Sequence, residues 1–172
     1  MKLQVSNTNA PTWRDLTVTS DLPSKLKHLE ELAKNLWWVW NSEAKALFRS
    51  IDPDSWRRDG ENPVLILQRL TSDRIAELIA DDAFMAELGK VYADFKEYMA
   101  KPMRKDIPSV SYFSMEYGLC NCLKIYSGGL GVLAGDYIKQ ASDSHVDMTA
   151  VGFLYRYGYF SVSYTHLRAH ET

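Results

Sequence analysis

Between residues 20 and 100 the apolar positions recur at three- and four-residue steps. Leu26, Leu29, Ala33, Leu36 and Trp40 form one stripe, the spacing that gives a helix a single apolar face. Pro23 opens this segment, with Asp21 or Ser24 as a capping residue. Asn41-Ser42 punctuates it, and a short helix follows through Ala44, Leu47 and Phe48. Asp52-Pro53-Asp54 is a turn signal. At Asn62-Pro63 a capping side chain precedes a proline at the first helical position, ahead of Leu65, Leu67 and Leu70. Thr71-Ser72-Asp73 starts another short helix. Asp81-Asp82 starts a longer one, with Phe84, Leu88, Val91, Tyr92, Phe95 and Met99 on its stripe.

The period changes after a charged, proline-bounded linker, Pro102 to Pro108. Val110 to Met115 is a short β-prone run. A loop carrying Ser127-Gly128-Gly129-Leu130-Gly131 follows, then a helical stretch from Val132 to Ser144, then a second apolar run from Met148 to Leu154. Strand, glycine loop, helix, strand is the order of a βαβ unit in a parallel sheet. The expected fold class is therefore α/β, with an all-α N-terminal module and linker over 1–108 and the start of an α/β domain over 109–160. Residues 1–20 read as an extended lead-in. A parallel sheet needs several strands with both faces covered, and one βαβ unit supplies neither, so the second domain is expected to be incomplete.

Composition narrows the partners. A formal net charge of -2 gives no reason to expect nucleic acid or an anionic membrane. Met1 to Trp13 has no apolar core of the kind a signal peptide needs, and no apolar run approaches the length of a membrane span. A cytoplasmic, reducing home is the expectation. Cys120 and Cys122 are separated by one residue, a spacing that rarely reaches good disulfide geometry. With no nearby His or Cys they make no metal site, and they read as buried small hydrophobes.

The glycine loop is the first place where chemistry concentrates. Glycines between a strand and a helix permit tight turns and close approach of a ligand to the main chain. The helix that follows offers unpaired N–H groups and the positive end of its dipole, which suits a phosphate. It is not a P-loop, because Val132 follows Gly131 where Lys would stand. The dinucleotide spacing fits only if Gly129 and Gly131 are completed by Ala134. Two readings of the loop alone stay open: a cradle for phosphate or sugar, and a tight connection with no ligand.

At this loop the sequence resembles a known family. Ser114 to Gly118 (Ser-Met-Glu-Tyr-Gly), Ile125 to Asp136, Lys139 with Ala141-Ser142-Asp143, and Val151 to Phe160 resemble, in order and separation, the start of the catalytic region of bacterial α-glucan (glycogen and maltodextrin) phosphorylases. Asn35 to Asn41 and Leu47 to Pro53 resemble the N-terminal extension of many of these enzymes. The resemblance covers residues 13–160 and implies the N-terminal part of such an enzyme, without activity by itself. It implies the glycosyltransferase B architecture of two Rossmann-like domains facing a cleft. It also implies pyridoxal phosphate on a lysine far downstream, a reaction of α-1,4-glucan with inorganic phosphate that releases glucose 1-phosphate with retained configuration, and a homo-oligomer at full length.

Carried over residue by residue, the resemblance assigns no catalytic residue to this chain and few binding ones. Gly128, Gly129 and Leu130 match the family loop whose main chain faces the terminal glucose and the substrate phosphate. Glu116 matches a carboxylate at the cleft, with Tyr117 beside it. The other reading of Glu116 is a structural carboxylate that pairs an arginine from outside the chain. Tyr155 and Arg156 lie in a matching block near a strand end, where scaffolding is an equal reading. Cys120, Asn121, Cys122 and Lys124 fill the stretch where many relatives have a His-Glu pair and a Pro, so no role passes to those positions. A starch or glycogen synthase shares the Gly-Gly-Leu loop, but has a lysine where this chain has Tyr126. A non-catalytic glucan-binding module is the alternative from another class.

Trp37, Trp38 and Trp40 read as core rather than as a sugar-stacking platform. Trp37 and Trp40 share the apolar helix face, which leaves Trp38 to be exposed or to meet the neighbouring domain. Ser161 to Thr172 shows no resemblance and reads as translated sequencing-adapter DNA. Its His166 and His170, spaced i, i+4, are set aside with it.

Overall fold

The computed structural model describes residues 22–154. The N-terminal lead-in, Asp21, Tyr155, Arg156 and the 161–172 tail lie outside the described residues. Six helices come first: α1 (Lys27–Lys34), α2 (Ser42–Ile51), α3 (Pro53–Arg58), α4 (Pro63–Gln68), α5 (Ser72–Ala80) and α6 (Asp82–Ala100). The five from α2 to α6 start the same way. Asn41, Asp52, Asn62, Thr71 and Asp81 each accept, through a side-chain oxygen, the backbone N–H three residues on, at 2.8 to 3.2 Å. Each cap satisfies one of the orphan donors of its first turn and contributes about 1 kcal/mol. Asp52 therefore begins a helix where the sequence suggested only a turn. Pro53 and Pro63 each occupy the first position of a helix, where a missing N–H costs nothing.

The first apolar stripe does not run on to Trp40. Asn35 leaves the helix in an extended conformation and its side chain accepts the Trp37 N–H at 2.9 Å. A 3-10 turn, Leu36–Val39, then starts with a new phase. This break reverses two expectations. Leu36 is 38% exposed, while Trp38 is only 2% exposed, packed edge-on against Phe48 and Trp56 at 6.1 and 5.9 Å between ring centres. Trp40, not Trp38, is the tryptophan that reaches the neighbouring unit. On α6 the buried set is Phe84, Leu88, Val91 and Phe95; Met99 lies beyond it, 53% exposed. On α4 the fully buried residues are Pro63 and Ile66; Leu67, and Leu70 just beyond the helix, pack at the rim.

Residues 101–109 carry no helix or strand. Beyond them stand β1 (Val110–Phe113), α7 (Gly129–Asp143) and β2 (Met148–Val151). The strands pair in parallel, Val110 opposite Met148 and Phe113 opposite Val151, with α7 as the crossover. The architecture is thus α/β, mostly helical, with a small parallel sheet. Both strands are shorter than the sequence suggested. The helix starts three residues earlier, which places Gly129 and Gly131 in its first turn.

The end of α7 joins the two units. The Asp143 carboxylate accepts the Trp40 indole N–H and the Tyr98 hydroxyl, each at 2.9 Å. The Tyr98 oxygen lies 2.7 Å from Ser142 Oγ, and the Arg104 N–H donates to the His145 carbonyl at 2.7 Å. Burial, and then the Asp143 carboxylate, push the Tyr98 phenol from 10.0 up to about 12. A raised pKa means that the unfolded chain loses this proton first as pH rises. The contribution is therefore intact below pH 10 and is lost between pH 10 and about 12. Urea denaturation across that window should show a steeper loss of stability in the native chain than in Tyr98→Phe. Parallel curves would remove Tyr98 from the account.

Candidate functional site

The loop after β1 folds back so that residues 116–118 lie against the first two turns of α7. The Gly118 N–H donates to the Gly131 carbonyl at 2.7 Å, and the Lys139 ammonium reaches the Gly118 carbonyl at 3.5 Å. This approach leaves no room for side chains. A Cβ on Gly135 would overlap the Gly118 carbonyl, and one on Gly131 would overlap Tyr126 Cβ and crowd Glu116 Oε2 at 3.0 Å. Tyr117 is buried under Gly152, and its hydroxyl donates to the Tyr112 carbonyl at 2.7 Å, with the Val151 carbonyl at 3.3 Å. It ties the ends of both strands together, so its part is structural.

Glu116 reaches the N-terminus of α7. Its Oε1 accepts the Ser127 hydroxyl at 2.8 Å and its Oε2 the Ser127 N–H at 3.2 Å. These bonds, the Ser127 hydroxyl first, and the nearby amides of Gly128 and Gly131 hold the carboxyl below its usual range against the opposing effect of desolvation. A carboxylate beside the positive end of a helix is well placed electrostatically. The structure therefore brings together Glu116 and the Gly128-Gly129-Leu130 loop, and it gives Glu116 partners inside the chain, whereas the alternative reading of a structural carboxylate had looked to an arginine outside it. Ser127 is the contributor that sequence reasoning missed; its signal was a hydroxyl immediately before the paired glycines.

Gly128 and Gly129 are unlike the buried glycines. Both are exposed, and a Cβ at either would meet nothing within 4 Å. Gly128 is extended, φ -151°, a conformation open to any residue. Neither backbone strain nor a neighbour in the described residues requires glycine there. The practical effect of these two glycines is an uncovered main chain at the start of a helix that has no side-chain cap. The Gly129 and Leu130 N–H groups can donate, and the Glu116 carboxylate beside them can accept. That pairing of fixed donors with a fixed acceptor suits a ligand that carries both oxygens and hydroxyls. Among the described residues no three His, Cys, Asp or Glu side chains gather where a metal ion could bind.

The two kinds of glycine should separate in stability. Gly131→Ala should cost about 1–3 kcal/mol through overpacking, and Gly129→Ala should be neutral or slightly stabilising, since alanine is the better helix former. Thermal unfolding of the two variants checks this; equal losses would contradict the geometry.

Known proteins match the same stretch. The family described as "Protein of unknown function (DUF3417)" matches residues 22–123. The chain is similar to the glycogen phosphorylase of Mycobacterium tuberculosis, 39% identical over 164 residues, covering 88% of this chain and 19% of that protein. It is similar to the maltodextrin phosphorylase of Thermococcus litoralis, 42% identical over 150 residues, covering 83% of this chain and 18% of that protein. The glycogen phosphorylase of Aquifex aeolicus is 42% identical over 134 residues, covering 76% of this chain and 19% of that protein. The chain thus spans about a fifth of the length of these curated relatives. No solved structure matches it.

Proposed function

The chain belongs to the DUF3417 family and matches an N-terminal portion of glycogen and maltodextrin phosphorylases, and from that premise we propose that it forms the N-terminal part of an α-glucan phosphorylase. The reaction of the whole protein is then the transfer of the terminal glucose of an α-1,4-glucan to inorganic phosphate, giving glucose 1-phosphate. The observation that carries this reading is the start of α7. The Gly129 and Leu130 main chain at its first turn is exposed, behind two glycines that the described residues do not require.

In this reading the Gly128, Gly129 and Leu130 main chain binds the oxygens of the terminal glucose and the transferring phosphate. Fixed amide donors suit such a task because they need no reorganisation as charge moves. Glu116 has two parts. It holds Ser127 and so fixes the loop, and its carboxylate accepts from a sugar hydroxyl. Being ionised beside the loop, it favours a hydroxyl-bearing sugar over a bare anion at the position nearest to it.

An exposed apolar surface supports a larger assembly. Phe113, Met115, Leu130, Leu133, Phe153 and Leu154 are all exposed on the β1–α7–β2 unit, more than a free surface usually shows. We assign this surface to packing against the remainder of a Rossmann-like domain of glycosyltransferase B type. Pyridoxal phosphate belongs to the same proposal, on the lysine far downstream that the resemblance implies, and no step is assigned to it here. No helix among the described residues is long and apolar enough to cross a membrane, in keeping with a proposed cytoplasmic enzyme. The relatives' names favour phosphorolysis over the synthase alternative.

The test is glucose 1-phosphate release from maltodextrin and phosphate by the full-length gene product. We expect turnover, and we expect Gly129→Ala to lower it without loss of thermal stability, because the added methyl group stands over main chain that the substrate must approach closely. Absence of glucose 1-phosphate would overturn the proposal; full activity in Gly129→Ala would remove the loop from it.

A further inference from the structure

The loop from Leu119 to Leu123 carries a pair of thiols that the reading above does not use. Its turn lies against the α3–α4 connection, where Gly60 adopts a positive φ of 68° and faces the Asn121 carbonyl. Cys120 and Cys122 are half-buried and pack at the rim of the helical core. The Leu123 N–H donates to the Cys120 carbonyl at 3.3 Å, which closes the turn and points both side chains the same way. The two sulfurs stand 2.9 Å apart. From sequence, such close neighbours were not expected to reach disulfide geometry; this turn brings them within about 0.9 Å of the ~2.05 Å bond length.

We propose that Cys120 and Cys122 form a reversible thiol–disulfide modification site, with Cys120 as the attacking thiol and Cys122 as the resolving one. The proposal does not depend on the phosphorylase reading. The polarity follows from the surroundings. The two thiols share a proton, and that bond, the Leu123 and Cys122 amides and the charge of Lys139 together bring Cys120 down to about 7 against the effect of burial. Cys122 is pushed the other way by that same shared proton, by burial and by Glu61. The surroundings therefore favour the thiolate on Cys120 and the protonated thiol on Cys122.

The oxidant is a low-molecular-weight disulfide of the glutathione class. The Cys120 thiolate attacks one of its sulfurs, that S–S bond breaks, and the departing thiolate takes a proton. Cys122 then loses its proton to solvent and attacks the Cys120 sulfur, expelling the second thiol. Two protein thiols are oxidised and one reagent disulfide is reduced to two thiols.

The chain has two cysteines in total, so intact mass reads the chemistry directly. Incubating the 172-residue chain with oxidised glutathione at pH 7 should give a monomer lighter by two hydrogens, restored by dithiothreitol. Cys122→Ser should stop at a single glutathione adduct on Cys120. Cys120→Ser should react more slowly than Cys122→Ser, since the Leu123 and Cys122 amides and the charge of Lys139 favour a thiolate at Cys120. A stable glutathione adduct or cross-linked dimers in the native chain, no reaction at all, or equal rates in the two variants would each overturn the proposal.

Discussion

Direct contact between the backbone of α7 and residues 116–118 is the constraint on which the candidate site depends. Gly131 and Gly135 lie one helical turn apart on the same face, and with Gly118 they remove the Cβ atoms that would hold the two segments apart. Because the main chains touch, the Gly118 amide meets the Gly131 carbonyl, Lys139 meets the Gly118 carbonyl, and Glu116 arrives at the open end of the helix. A single methyl group at Gly131 or Gly135 would push back the loop that carries Glu116. The geometry of the site is therefore set by the packing of buried glycines, and its chemistry by the exposed ones.

The helical module meets this unit through a polar joint. Asp143, at the last position of α7, gathers the Trp40 indole and the Tyr98 hydroxyl, so both ends of α7 are tied to side chains from elsewhere in the chain. Hydrogen bonds of this kind add modest net stability, but they are directional. They orient α7, and with it the glycine loop, relative to the α-helical core.

Much of the architecture was legible because its signals are local. Capping residues at Asn41, Asn62, Thr71 and Asp81 mark helix starts by side-chain chemistry that needs no tertiary partner, and the βαβ order follows from the change of period after Pro108. The phase error at Trp38 arose because Asn35 reads equally well inside a helix. Only the bond from its side chain to the Trp37 amide shows that it ends one. In the site, Glu116 and the Gly128–Leu130 loop were named from resemblance and are neighbours in space. Ser127 and Gly118 were given no part of their own, since their parts arise from a fold-back between segments that the sequence keeps apart. The two cysteines were read as buried small hydrophobes, and they do pack at the rim of the helical core; their convergence was not legible, because spacing says nothing about where a turn points its side chains.

The parallel pairing of β1 with β2 also fixes an order of events. Most of the helical core is built from neighbours in sequence, and contacts of that kind close at little entropic cost. The sheet cannot begin until a loop and the fifteen residues of α7 have emerged and crossed over. As the chain leaves the ribosome, a compact helical body can already be in place when β2 appears. It carries Trp40 and Tyr98, the groups that will receive α7, so the part made first serves as the template on which the glycine loop takes its shape.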